Sequence, residues 1–297
     1  MWREYSCPQS VDEALAMLAV GAGQARVIAG GTDLILQLQR GERNASHLVD
    51  VSRIEALRGI REAEGFIVIG AAVTHSEVAS SRLIRDSAAV LAQAAAEVGS
   101  LEIRNVATMG GNVVNAQPAA DTALALLVLD AEAEILSLTG AHWVPLADLY
   151  EAAGVSMVDS TSELVRAFRF RPPLGQAGSA YRRLGKCKSI ALPVLCAATV
   201  VTIKEDHFES AAIGLGPVAP RPLRARSAES YLAGAPVSAA VMDQAAILAR
   251  RETDPRDSLL RCAKEYREEM VAALVRSTLL QAVAAVQVSS GSVEKAP

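Results

Sequence analysis

Two glycine pairs about eighty residues apart constrain this chain more than anything else in it: Ala29-Gly30-Gly31-Thr32-Asp33 near the start and Thr108-Met109-Gly110-Gly111-Asn112 further along. Each follows a short apolar or β-prone stretch and precedes small or hydroxylated residues, so each can present main-chain N–H groups with no side chain in the way. One such loop can hold a phosphate. Two in one compact domain point to a diphosphate gripped from both sides, and so to a dinucleotide such as FAD. Neither loop has the GxGxxG spacing of a Rossmann turn or the GxxxxGK[ST] spacing of a P-loop, so a different architecture is expected.

With 297 residues the chain is long enough for two domains with well-buried cores. Its 29 basic and 33 acidic side chains leave a net charge of −4, which argues against nucleic-acid binding. Aromatic residues make up only 4%, too few for a base-stacking platform. The longest apolar run, Ile190 to Ile203, is interrupted by Pro193 and is too short for a spanning helix. The start of the chain lacks the charged-then-apolar pattern of a signal peptide, so a soluble cytoplasmic protein is expected, with no membrane insertion. Cys7, Cys187, Cys196 and Cys262 are scattered, with no CxxC, and His47, His75, His142 and His207 form no HxxxH or HExxH pair. No metal site is expected.

Ser10 and Glu13 make a capping-box pattern ahead of a helix from Val11 to Ala19 with Val11, Ala14, Leu15 and Leu18 on one face. Arg26-Val27-Ile28-Ala29 reads as a buried strand entering the first glycine pair, with Thr32 or Asp33 capping a helix that runs to Gln39. Leu48 to Val51 and Phe66 to Ile69 are further strands, and Asp86 to Val98 is an alanine-rich helix. Pro118 opens a helix continuing from Ala120 to Leu129, and Ala131 to Leu138 alternates as a strand. The proline- and glycine-rich stretch from Arg171 to Gly178 marks a domain boundary. Beyond it come strands at Ile190–Ile203 and Ser210–Leu215, helices near Ser227–Leu232, Ser238–Arg251 and Leu259–Val286, and a frayed polar tail.

Three motifs in fixed order now carry a resemblance: Val27-Ile28-Ala29-Gly30-Gly31-Thr32-Asp33-Leu34, then Ile103 to Asn112, then Pro118-Ala119-Ala120-Asp121. Together with Val218 to Ala225 and Tyr266-Arg267, over nearly the whole chain, they resemble the FAD-binding subunits of the molybdenum hydroxylase family. Within it the chain is most similar to the subunits of bacterial xanthine dehydrogenases, which stand beside the carbon monoxide dehydrogenase medium subunit and the 4-hydroxybenzoyl-CoA reductase β subunit.

The resemblance implies an α+β fold: a two-lobed FAD-binding domain of the vanillyl-alcohol-oxidase (PCMH) type over residues 1–175, with lobes of about 1–55 and 56–175. A smaller α+β domain of the carbon monoxide dehydrogenase flavoprotein C-terminal type follows over 176–287, with a tail from 288. In such relatives Val27 to Leu34, with Thr32-Asp33, bind the FAD pyrophosphate, and Thr108, Met109, Gly110, Gly111 and Asn112 lie against the flavin and ribityl chain. Asn112 then serves the ribityl or phosphate region, Asp121 the adenosine side, and Leu164 and Arg183 approach the ring. Met109 departs from a common isoleucine and Arg183 from a common lysine, which puts the flavin's potential and oxygen reactivity in doubt rather than its binding. The clustered cysteines of the reductase branch are absent.

The partners implied are a small [2Fe–2S] subunit and a large molybdopterin subunit, assembled as a dimer of heterotrimers. Electrons would pass from the clusters through FAD to NAD⁺ or another acceptor. No Ser/His/Asp or Cys/His constellation is evident, which fits chemistry carried by a cofactor. A stand-alone flavin oxidoreductase of the same fold and a non-enzymatic nucleotide-binding scaffold remain as alternatives. Taken alone, Gly30-Gly31 is also compatible with a structural turn, Asp33 with an N-cap and Asp121 with a first-turn carboxylate. The basic group Arg182, Arg183, Lys186 and Lys188 also reads as a solvated face, and His75 as a surface or neighbouring residue without a chemical role.

Overall fold

A computed structural model describes residues 2–186, 192–258 and 262–293. Cys187, Lys188, the expected strand start at Ile190, the expected helix start at Leu259 and the last four residues of the tail lie outside the described residues. In chain order the first half holds β1 (Glu4–Ser6), α1 (Val11–Val20), β2 (Ala25–Ile28), α2 (Leu34–Gln39), β3 (His47–Asp50), β4 (Ile60–Ala63), β5 (Phe66–Gly70), α3 (His75–Ser80), α4 (Arg82–Ser87), α5 (Ala89–Ala96), α6 (Leu101–Arg104), α7 (Met109–Val114) and α8 (Asp121–Val128). The second half holds β6 (Glu132–Ser137), β7 (Gly140–Pro145), β8 (Tyr150–Ala152), β9 (Val155–Ser156), β10 (Leu164–Phe170), β11 (Gln176–Leu184), β12 (Leu195–Lys204), β13 (His207–Gly216), β14 (Leu223–Arg224), α9 (Arg226–Leu232), α10 (Ala239–Arg251) and α11 (Lys264–Val293).

The chain divides into two compact units. The first comprises residues 1–81, 100–117 and 130–171, and the second comprises 82–99, 118–129 and 172–297. The first unit contains a parallel three-stranded sheet in the order β1-β3-β2 and a five-stranded sheet in the order β4-β5-β10-β6-β7. Helix α1 starts where expected: Ser10 Oγ accepts from Glu13 N at 3.1 Å, while the Glu13 carboxylate reaches back to Gln9 N at 2.7 Å. Its face of Ala14, Leu15 and Leu18 packs with Val49, Leu57 and Leu164 in one apolar cluster. A cationic and aromatic group spans β10, β6 and β7 of the larger sheet, with the Arg169 guanidinium 4.0 Å from the Trp143 ring centre and 2.7 Å from Glu132.

The second unit is built on the antiparallel sheet β11-β12-β13-β14. Strand β12 is buried over seven consecutive residues, Leu195 to Val201, which is why it reads as a run of apolar residues, broken only by Thr199, rather than an alternation. Helix α11 packs against β11 and β12. Residues 264–287 are long and apolar enough to cross a bilayer, yet Val271, Val275, Leu279, Ala282 and Val286 of that stretch are core residues of this unit. Helix α8 is buried at all eight positions.

Three expectations need correction. The alanine-rich stretch forms two helices, because Ala88 leaves helical geometry at φ −153° and ψ 61° between α4 and α5. The apolar strand after the boundary runs from Leu195 to Lys204, so its described part begins after Pro193. The tail expected to fray from Gln287 continues as helix through Val293.

Candidate cofactor site

Strand β2 delivers the chain into the first glycine loop as an inner residue pattern: Ile28 is buried, and Val27 donates its N–H to Ser160 O at 3.0 Å. Ala29 is half-buried against the α1 cluster. Gly31 then takes φ +67°, a left-handed turn that L residues rarely adopt, and the chain reverses into α2. Around this turn the carbonyls of Gly31 and Asp33 accept from Ile35 N and Gln37 N, at 3.1 and 3.0 Å, but the donors are left over. The main-chain N–H groups of Gly30, Gly31, Thr32, Asp33 and Leu34 have no acceptor among the described residues. Five successive unpaired donors make an electropositive stretch of main chain suited to an anion with several oxygens. Asp33 occupies the N-cap position of α2, but its side chain makes no capping bond.

The second loop is organised differently. Met109 N donates to Val73 O at 2.9 Å, Gly110 N to Ala71 O at 2.8 Å, Gly111 N to Thr108 Oγ1 at 3.1 Å and Asn112 N to Thr108 O at 3.0 Å. The expectation of bare amides from both loops is therefore corrected: the second spends its donors within the chain. Thr108 and Met109 are buried, and the Met109 side chain lies wholly in the interior. A Cβ on Gly110 would come within 2.9 Å of the Ala71 Cβ and carbonyl oxygen, so this glycine is required by packing. Gly111 is different, because a Cβ there would meet only Thr108 Oγ1, at 3.1 Å. That bare position is exposed, and Asn112 beside it is half-buried.

The two loops meet. A Cβ on Gly30 would lie 2.0 Å from Val106 O and 3.0 Å from Ala107 Cα, at the entry to the second loop. Asn115, just after α7, adds a side-chain tie: its Oδ1 accepts from Gln37 Nε2 at 3.0 Å. Unpaired amides on one side and an open glycine on the other, held at contact distance, fit a diphosphate and its attached chain. Asn115 and Gln37 carry no sequence signal of their own; only the fold brings them together.

Leu164, Asp121 and Arg183 complete the expected set. Leu164, on β10, is buried within the α1 cluster of the first unit. Asp121 and Arg183 belong to the second unit, where they share a buried polar group. Tyr181 Oη donates to Asp121 Oδ1 at 2.5 Å, Cys196 Sγ stands 3.6 Å from the same oxygen, and Arg183 NH1 lies 3.7 Å from Oδ2. Arg183 NH1 also donates to Glu97 O. Burial pushes the Asp121 carboxyl upward from its usual range, against the opposing pull of Arg183, Tyr181 and Cys196. Tyr181 and Cys196 are both driven well above their ordinary values, burial first. Sequence reasoning missed these two because nothing in their local pattern marks them.

His75 is also misplaced by a surface reading. It is fully buried, neither ring nitrogen has a hydrogen-bond partner, and burial lowers its pKa to about 4. Its main-chain N–H donates to Ala107 O at 3.1 Å, and Thr74 bridges to Thr108, so it lies at the base of the second loop.

Comparison with known proteins supplies a family. Residues 2–172 match the family profile described as FAD binding domain in molybdopterin dehydrogenase, and residues 179–282 match the CO dehydrogenase flavoprotein C-terminal domain. The chain is 31% identical to a putative xanthine dehydrogenase FAD-binding subunit of Escherichia coli strain K12, covering 88% of this chain and 90% of that one. It is also 31% identical to a carbon monoxide dehydrogenase medium chain of Afipia carboxidovorans, over 95% and 96%. Among solved structures, a chain of reconstituted CO dehydrogenase from Oligotropha carboxidovorans superimposes with a TM-score of 0.91 at 30% identity, over 96% of this chain and 98% of that one.

Proposed function

We propose, since this chain belongs to the family of the FAD binding domain in molybdopterin dehydrogenase, that it is the FAD-carrying electron-transfer subunit of a multisubunit molybdenum hydroxylase. FAD is its cofactor, and when bound it supplies the exchange between one-electron and two-electron carriers. In this reading a small [2Fe–2S] subunit delivers the electrons, a large molybdopterin subunit hydroxylates the substrate, and NAD⁺ or another acceptor receives them. A dimer of such heterotrimers in the cytoplasm completes the proposal.

The residues of this chain bind, orient and shield. The amides from Gly30 to Leu34 take the diphosphate oxygens, with Thr32 and Asp33 contributing through the main chain. Gly111 lets the cofactor approach closely, Thr108 fixes its loop, and Asn112 supplies an amide beside it. Met109, Val27, Ile28 and Leu164 support the loops from the interior. Asp121 and Arg183 complete the proposed set, the guanidinium setting charge near the ring.

The observation that carries the reading is the run of five unpaired amides abutting the second glycine loop. The two relatives named for xanthine and for carbon monoxide stand at the same 31% identity, so likeness does not choose a substrate. The choice belongs to another polypeptide.

The test is purification with any associated chains, identified by mass spectrometry, followed by spectroscopy. A yellow protein that dithionite bleaches, that brings an iron–sulfur and a molybdopterin subunit with it, and that alone oxidises no purine, alcohol or aldehyde is expected. A colourless protein that takes up no FAD would overturn the proposal.

A further inference from the structure

Strand β2 has two ends, and the first glycine loop occupies only one of them. At the other, where the chain enters the strand, residues 3, 24 and 43–46 of the first unit surround a cavity of about 360 Å³. Its rim is fixed by the main chain: Ser46 O accepts from Arg3 N at 2.7 Å, and Gln24 O accepts from Ser46 N at 2.9 Å. Arg43 is tied as well, because its NH2 donates to Gly154 O at 2.9 Å. Most other donors on the lining are unused. Among the described residues, the Arg3 guanidinium and the side-chain amides of Gln24 and Asn44 have no hydrogen-bond partner, and the main-chain N–H groups of Asn44 and Ala45 have no acceptor.

Both charged residues on the lining, Arg3 and Arg43, are cations. The carboxylates nearest to them in sequence have other neighbours, with Glu4 3.9 Å from His47 Nδ1 and Glu42 3.9 Å from Arg40 NH1. Helix α2 ends here and adds Leu38 to the wall, but its last carbonyls already accept from the N–H groups of Arg40, Gly41 and Glu42. Its dipole sets about half a charge against two whole ones, so the guanidiniums prevail.

We propose that this cavity is a second anion site, which takes a phosphate group either free or carried on a small molecule. Planar guanidinium forks match phosphate oxygens two at a time, and the amides of Gln24 and Asn44 can reach neutral hydroxyls beside them. The volume stands near the lower end of the range for small-ligand pockets, which suits a sugar phosphate better than a dinucleotide. The four residues of β2, at about 3.3 Å each, put about 13 Å of strand between this cavity and the glycine loop, so the two share no donors.

The experiment is calorimetric titration of the full chain, loaded with FAD so that the glycine loop is filled, with inorganic phosphate and with ribose 5-phosphate. Saturable binding of at least one is expected, and the tighter of the two identifies the source of the phosphate group. Arg3→Gln and Arg43→Gln should each weaken it by about 10- to 100-fold, the range for losing hydrogen bonds to a charged group. Arg40→Gln, outside the lining, should leave it unchanged. No saturable binding of either probe, or equal binding by the Arg3→Gln/Arg43→Gln double variant, overturns the proposal. Should Arg43→Gln fail to fold for want of its tie to Gly154, Arg3→Gln decides alone, since that side chain holds no bond to lose. A chain that takes up no FAD is titrated as it is; that failure would sink the proposed function and leave this test standing.

Discussion

The two glycine loops share a motif and use it in opposite ways. The first leaves five amides unpaired and relies on a left-handed Gly31 to aim them. The second pairs its amides with Val73, Ala71 and Thr108, and contributes a bare surface at Gly111. Even the glycines within each pair differ in purpose. Gly30 and Gly110 are small because main chain from another segment passes close by, whereas Gly111 is small where little of this chain approaches it. A repeated sequence pattern therefore does not imply a repeated role; what decides is where the donors and the missing Cβ point.

Substitution can break this comparison, and the largest effect is expected at Gly30→Val. Its Cβ would overlap Val106 O, which is main chain and cannot rotate away. Destabilisation at or above about 3 kcal/mol, the upper end for overpacking, is expected in urea denaturation. A loss under 1 kcal/mol would mean that the loops do not touch.

Acid should act on the second loop through His75. Its folded pKa of about 4 lies below the ordinary 6.5 because burial disfavours the charged ring. The unfolded chain then takes up the proton first as pH falls. The stabilisation is whole above pH 6.5 and drains away between 6.5 and 4, by on the order of 3 kcal/mol at most. Denaturation at pH 7 and pH 4.5 should show this loss, and His75→Leu should flatten it; an unchanged slope in that variant would assign the loss to other groups.

Gly111→Val sharpens the contrast, because its effect should fall on the cofactor and spare the fold. FAD affinity should drop at least about tenfold, or 1.4 kcal/mol, while apo stability stays within about 1 kcal/mol. Normal flavin content would remove Gly111 from the site. The smallest effect is expected at Thr108→Val, which deletes the bond to Gly111 N and should cost about 1 kcal/mol in thermal or chemical denaturation. Were it to lower FAD affinity more than it lowers stability, the second loop would have a direct binding role that its pairing pattern does not indicate.

Much of this was legible in the sequence, for identifiable reasons. Ser10 and Glu13 announced α1, and the glycine pair Gly30-Gly31 announced the end of β2, because both signals are local. The ordered motifs pointed to the family and to FAD. What stayed hidden depended on distant partners. Nothing near Gln37 indicates that its amide will bond to Asn115, 78 positions away. His75, next to Thr74, reads in sequence as a surface or neighbouring residue, and the ring is buried. The pairing of the second loop's amides with Ala71 and Val73 required knowing that those segments run side by side. Sequence patterns locate glycine loops well; they do not reveal which donors the rest of the chain will occupy.

The chain changes unit five times, at residues 82, 100, 118, 130 and 172, before its long final segment. Cutting it after Arg171 would therefore not release a self-sufficient front half. Such a fragment would still carry α5 and α8, the second buried at every position, stripped of the β11–β13 strands that shelter them. Their leucines, alanines and valines would face water and seek each other across neighbouring copies. Neither unit can therefore be excised whole by a single cut in the chain.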